Sequence, residues 1–246
     1  MRSLRFLFSL VFSLTIFLSL PFRVHASLVT IDNQGKVIVN VLSAEESIEL
    51  EIPSSEFLEI KNVVSETLEG DAKISLAKVD GKATLEVSSP SGNKSLDVTN
   101  YKKEVIEIEE RPQVQKLTIS VSGDKFVIGQ RNVFAETDYQ INIDASTARL
   151  TLETPSGLRF LSILPRQATD SVLRAKYINR IESEKKLLIK EEGSELAYEV
   201  YGDKVLNFFN FFEYPIPVSV KVSASTGEIL FVDQPTWLKV INFLFI

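Results

Sequence analysis

Ile74-Ser75-Leu76-Ala77-Lys78-Val79-Asp80-Gly81-Lys82-Ala83-Thr84-Leu85-Glu86-Val87 carries the fold class. Apolar and polar residues alternate on both sides of Asp80-Gly81, a dipeptide suited to a tight hairpin turn because both positions accept a positive φ. The same grammar repeats outward. Lys36 to Val41 is strand-like, and Ser47 to Ile52 puts Ile48, Leu50 and Ile52 on one face. Glu104 to Glu109 alternates again. Leu117 to Val121 turns through Ser122-Gly123-Asp124 into Phe126-Val127-Ile128. Tyr139 to Ile143 turns at Asp144-Ala145-Ser146 into Leu150-Thr151-Leu152, and Pro155-Ser156-Gly157 leads into Leu158 to Leu164. Short strands joined by regular turns predict an antiparallel, meander-rich or sandwich-like β domain over residues 27–163. Val63 to Leu68 reads either as a short helix or as a further strand.

The pattern changes at Pro165. Proline suits a first helical turn. Ala168, Val172, Ala175 and Ile178 recur at steps of three and four, with Leu173, Tyr177 and Ile181 beside them, so a helix is expected over Pro165–Ile181. Strands then resume at Lys186 to Lys190, at Leu196 to Tyr201 after the turn Glu191-Glu192-Gly193-Ser194, and at Val218 to Val222. The last of these pairs through Ser225-Thr226-Gly227-Glu228 with Ile229 to Val232. Residues 164–235 therefore read as a small helix-plus-antiparallel-sheet unit, and the chain as a β-rich α+β protein. Ile143 to Thr147 and Val222 to Thr226 echo each other, as two hairpins with the same turn needs do.

Residues 1–26 read as a signal peptide. Arg2 and Arg5 precede an apolar run from Phe6 to Phe22, and Val24-His25-Ala26 suits a cleavage site. The alternative is an uncleaved anchor, although 17 residues of helix reach only about 26 Å, short of a ~30 Å hydrocarbon core. Either reading puts the remainder outside the cytoplasm, secreted or anchored at the outer face. A lipid-acylated form is excluded because the chain has no cysteine. Removing Arg2, Arg5 and Arg23 from the 27 basic groups leaves 24 against 33 acidic ones, a formal charge of −9. Such a chain is a poor match for nucleic acid and suits partners with basic patches.

The only histidine, His25, lies in the signal. The rest has neither thiol nor imidazole, which excludes disulfides, a Cys nucleophile, a Ser-His-Asp triad and metal sites built on Cys or His. No cofactor or metal is expected. Glu107, Glu109 and Glu110 look like the solvent face of a strand, and Glu45-Glu46 and Glu191-Glu192 like turn or surface residues. Asp32-Asn33-Gln34-Gly35 lacks the oxygen spacing of a calcium loop. Ser183-Glu184-Lys185-Lys186 flanks a strand and does not make a nucleophile motif, and the 10 glycines fall singly, with no phosphate loop among them.

Two apolar features remain as candidate partner or membrane contacts. One is the aromatic insertion containing Phe208, Phe209, Phe211, Phe212 and Tyr214. The other is the hydrophobic tail, residues 236–246, in which Trp237, Val240, Ile241, Leu244 and Phe245 fall at helical spacing. As a helix the tail reaches about 15 Å, too short to cross a bilayer.

The helix opening Leu164-Pro165-Arg166-Gln167-Ala168, the strand Leu196-Ala197-Tyr198-Glu199-Val200 and the hairpin Val220 to Leu230, with its Ser225-Thr226-Gly227-Glu228 turn, resemble the PepSY-like domains of exported bacterial proteins. The resemblance covers about residues 164–232. It implies an extracytoplasmic binding or inhibitory module, peptidase-inhibitor-like, and supplies no catalytic residue. The expected function is a non-enzymatic binding or structural protein of the cell envelope that acts on an unknown protein partner. The alternatives are a peripheral membrane protein held by its N-terminal segment and its tail, and a hydrolase using paired carboxylates.

Overall fold

A computed structural model describes residues 27–40, 65–68, 72–112, 114–182, 185–193, 195–208 and 212–241. The expected strand at Ser47 to Ile52 and the pair Glu45-Glu46 lie outside these residues, as do Ser183 and Glu184. Two β-sheets hold most of the described chain. The larger, 12-stranded sheet takes β1 (Val29–Ile31), β2 (Val37–Asn40), β3 (Ser65–Leu68), β7 (Glu104–Ile108), β8 (Leu117–Ser122), β9 (Lys125–Gln130) and β10 (Val133–Thr137). It continues with β14 (Arg180–Ile181), β15 (Leu187–Glu192), β16 (Glu195–Phe208), β17 (Phe212–Ser223) and β18 (Ile229–Asp233). Its order is β18-β17-β16-β15-β10-β9-β8-β7-β1-β2-β3, with β14 added beside β16. The smaller, 6-stranded sheet has the order β13-β12-β11-β4-β5-β6. Its strands are β4 (Lys73–Val79), β5 (Lys82–Ser89), β6 (Gly92–Asp97), β11 (Gln140–Asp144), β12 (Arg149–Thr154) and β13 (Gly157–Phe160).

The hairpin turns fall where the sequence predicts them. Asp80 and Gly81 both take positive φ between β4 and β5, with Val79 opposite Lys82. At β11–β12 the Asp144 carboxylate accepts hydrogen bonds from the Ser146 hydroxyl and the Thr147 N–H. At β17–β18 the Ser223 hydroxyl accepts from the Ser225 and Thr226 N–H groups. A side-chain acceptor at the head of each turn explains the sequence echo. Ser65–Leu68 settles the undecided Val63 to Leu68 segment as strand over its described part.

The antiparallel expectation needs one correction. The small sheet is antiparallel throughout, but the large sheet is mixed: β1 runs parallel to β7, and β10 parallel to β15. Parallel neighbours need a crossover. The chain between β3 and β7 builds β4–β6, and the chain between β10 and β15 builds β11–β13 and helix α1 (Pro165–Arg174). The second layer is therefore made by two excursions from the first. Because β15 pairs with β10, the large sheet runs unbroken past residue 163, the boundary expected between domains.

Register determines which face is covered. Ile106, Ile119, Ile128, Ala135, Leu187, Ile189 and Tyr198 share one face of the large sheet, and all are buried. The small sheet contributes Ile74, Leu76, Leu85, Val87, Ile141 and Leu152 to the same core, and α1 contributes Ala168 and Val172. The small sheet and α1 lie side by side on one face, giving two layers around one core.

Helix α1 is shorter than Pro165–Ile181. It stops at Arg174 because Lys176 turns to φ +58. Its first turn is closed from two sides: the Leu164 N–H donates to Gln167 Oε1 at 2.8 Å, and the Arg166 N–H donates to Gln130 Oε1 on β9 at 3.0 Å. Its last turn meets Lys204, whose ammonium donates to the Lys176 carbonyl at 2.8 Å, a cation at the negative end of the helix. Helix α2 (Thr236–Ile241) follows β18. Among the described residues no helix is long and apolar enough to cross a membrane.

Candidate partner-contact surface

The aromatic run does not interrupt the sheet, as its clustering in the sequence suggests. Phe208 and Phe212 are the last register pair of β16 and β17, the twelfth counted from Ala197 and Ser223. Aromatic residues favour strands, so the run prolongs the two longest strands among the described residues. Beyond Tyr201 the hairpin outgrows its neighbours. β15 pairs with β16 only from Glu195 to Glu199, and β18 with β17 only from Ser219 to Val222.

Three ties hold the base of this projection. β14 pairs with Gly202 and Asp203. The Asn179 carboxamide accepts from the Val205 N–H at 2.7 Å and donates to the Val205 carbonyl at 3.0 Å, reproducing a strand partner with a side chain. Lys204 reaches the end of α1. Burial holds the Lys204 ammonium below its usual lysine range. Gly202 is required here by close approach: a Cβ would stand 2.4 Å from the Arg180 carbonyl oxygen and 2.8 Å from Ile178 Cδ1.

On that anchored hairpin Ile216 and Leu206 are buried, whereas Tyr214 is 57% exposed and Phe212 75%. These four residues have the same parity, so the buried face of the sheet runs out into solvent as an aromatic end. Pro215 and Pro217 flank Ile216 and cannot donate a ladder hydrogen bond, which blunts the edge against another strand. An Arg180–Glu213 ion pair at 2.8 Å flanks the face. Phe208 lies opposite Phe212 in register, and Phe209 and Phe211 lie outside the described residues.

The tail divides similarly. α2 buries Leu238 and leaves Trp237 47% exposed. Val240 and Ile241 complete the helix backbone, and Leu244 and Phe245 lie outside the described residues. Just before α2, Asp233 to Thr236 border a groove of about 550 Å³ on the sheet face opposite α1. Glu182, Glu199 and Asp233 line it, and Lys185 sits 3.5 Å from the centre of the Tyr201 ring. Burial, followed by the Glu199 carboxylate, pushes the Tyr201 phenol well above its usual range. The groove therefore carries three carboxylates beside an aromatic floor. Sequence reading missed it because its residues come from four separate segments.

The other acids are dispersed. Glu107 pairs with Lys116 at 2.5 Å, Glu110 faces Arg131 at 3.7 Å, and Glu109 accepts from the Asn33 N–H at 3.2 Å. Asp32 Oδ1 accepts from the Gln34 and Lys36 N–H groups in a local turn. Glu191 departs from expectation. Its side chain is only 9% exposed, and it joins the layers by accepting from the Thr154 hydroxyl at 2.9 Å and facing Arg159 Nε at 3.8 Å. Its backbone N–H donates to the Tyr139 hydroxyl at 3.2 Å. Among the described residues no group of three or more acidic side chains could hold a metal ion. Comparison of the chain with protein-family models, with curated proteins and with solved structures finds no match in any of the three.

Proposed function

We propose that the protein is an exported, non-enzymatic binding protein of the cell envelope that acts through protein–protein contact, with residues 164–232 a PepSY-like α+β module. One observation carries the proposal: Phe212 and Tyr214 stand exposed on a hairpin whose base is tied down by β14, Asn179 and Lys204. Exposed aromatics on a rigid support are the usual anchors of protein interfaces, since little entropy is lost in fixing them. The carboxylates of the groove on the opposite face of the sheet, Glu182, Glu199 and Asp233, add negative charge that favours a partner with a basic patch. The −9 charge outside the signal acts in the same direction.

The test is capture from envelope extracts with the wild-type chain and with Phe212→Ser/Tyr214→Ser. A specific protein retained by the first and lost by the second supports the proposal. Retention of that protein by both moves the contact elsewhere. A second reading, peripheral membrane association, draws on the exposed Trp237. Flotation with phospholipid vesicles separates the two. Co-flotation that Trp237→Ser abolishes, without any captured protein, favours the membrane.

A further inference from the structure

A second cleft, of about 530 Å³, lies where the small sheet, the large sheet and the start of α1 meet. Its volume falls within the roughly 300–1,000 Å³ of small-molecule sites. The walls are mixed: Ile108 and Leu117 from the large sheet face Leu150 and Leu161 from the opposite side, all four buried, and Gln115, Thr147, Arg149, Ser162 and Gln167 complete the polar part of the lining. Among the described residues no carboxylate lines the cleft.

The polar groups there are mostly spare donors, and the hydrogen-bond network shows why. The Arg166 N–H can only donate, so Gln130 presents its carbonyl oxygen to it. Gln130 then presents its NH₂ to Gln115, which accepts through Oε1. That leaves the Gln115 NH₂ at the cleft wall spare among the described residues. Gln167 accepts from the Leu164 N–H through Oε1, so its NH₂ is spare as well. Arg149, on the same lining, has donors only, and among the described residues nothing pairs with it. Its register partner on β11, Asp144, is already engaged by Ser146 and Thr147. An open cleft with apolar side chains at its base, an exposed guanidinium unpaired among the described residues and two spare carboxamide donors complements an apolar body that ends in an anion.

We infer that this cleft binds a single-chain carboxylate of fatty-acid type, with its acyl chain against Ile108, Leu117, Leu150 and Leu161 and its carboxylate at Arg149. The site is independent of the aromatic hairpin and of the partner reading.

Calorimetric titration of the full chain with dodecanoate below its micellar range and with uncharged dodecanol below its solubility limit tests the inference. The expected result is saturable one-to-one binding of dodecanoate, roughly tenfold or more tighter than dodecanol, the worth of a charge-assisted hydrogen bond. Arg149→Gln removes that preference and Arg149→Lys keeps most of it. Ser162→Phe, at an exposed lining position, blocks both ligands. Arg149 and Ser162 are exposed, and among the described residues their side chains make no hydrogen bond or ion pair, so unchanged circular dichroism is expected for all three variants. Equal affinity for dodecanol and dodecanoate, or dodecanoate binding that ignores both Arg149→Gln and Ser162→Phe, overturns the inference. Preference for an apolar peptide with a free C-terminus over dodecanoate also overturns it.

Discussion

The Tyr198 hydroxyl donates to the Ile163 carbonyl at 2.7 Å from a side chain with no solvent exposure. The bond ties β16 to the segment leading into α1. Tyr198→Phe keeps the ring and leaves that part-buried carbonyl without its donor. The expected cost is about 1–2 kcal/mol, read as a lower urea midpoint at unchanged slope. The same residue sets an alkaline limit. Burial pushes the Tyr198 phenol well above its usual range. Above about pH 10 the unfolded chain releases a proton that the folded chain keeps, so stability falls as pH rises. Urea midpoints near pH ~8 and pH ~10.5 should therefore converge between wild type and Tyr198→Phe, because only the wild type loses this contribution. Gly202→Ala acts through space alone: its Cβ would meet the Arg180 carbonyl at 2.4 Å. It should detach β14 and lower stability by about 1–3 kcal/mol, measured by thermal unfolding. Gly202→Ser should be no better.

At the scale of the element, stability and contact separate along the β16–β17 hairpin. Its base is buried and bonded, and its end is exposed. Phe212→Ser/Tyr214→Ser should change stability by no more than about 0.5 kcal/mol while abolishing partner capture, because exposed side chains add little to folding. Loss of capture together with loss of fold would show the aromatics to be core residues, contrary to their exposure. The elements also show what the sequence could convey. The turns at Asp80-Gly81, Gly123, Pro155-Ser156-Gly157 and Thr226-Gly227 were legible because turn chemistry is local: a positive φ or a capping oxygen suffices. The end of α1 was not legible. Lys176 carries no left-handed signature, and the helix ends where Asn179 and Lys204 bind neighbouring backbone. Phe208 and Phe212 were legible as aromatic but not as strand ends, because their pairing depends on a twelve-pair register. Glu191 looks like a turn residue in sequence, and only the packing of the second layer buries it.

The whole molecule is governed by its two parallel pairings, which no local pattern announces. β1–β7 and β10–β15 form because the intervening chain leaves to build the second layer, and the apolar faces can be covered only from the same side. The consequence concerns cooperativity. Two separately folding domains, divided near residue 163, would melt independently. A large sheet that continues through β10–β15, with one core cluster that takes in both the small sheet and α1, should unfold as a unit. Leu85 lies fully buried in the small sheet, and the single tryptophan, Trp237, lies on α2 after the last strand. Leu85→Ala should cost about 2–5 kcal/mol through lost burial and a residual cavity. If the sheet transmits that loss, the urea midpoint followed by Trp237 fluorescence should fall by as much as the midpoint followed by far-ultraviolet circular dichroism. A Trp237 transition that stays in place while the dichroism transition shifts would sink the single-unit account and restore an independent module beginning near Pro165. Glu191→Ala gives the complementary test, because it cuts the Thr154–Glu191–Arg159 connection between layers. Under the single-unit account it too should lower both transitions together, by about 1–3 kcal/mol.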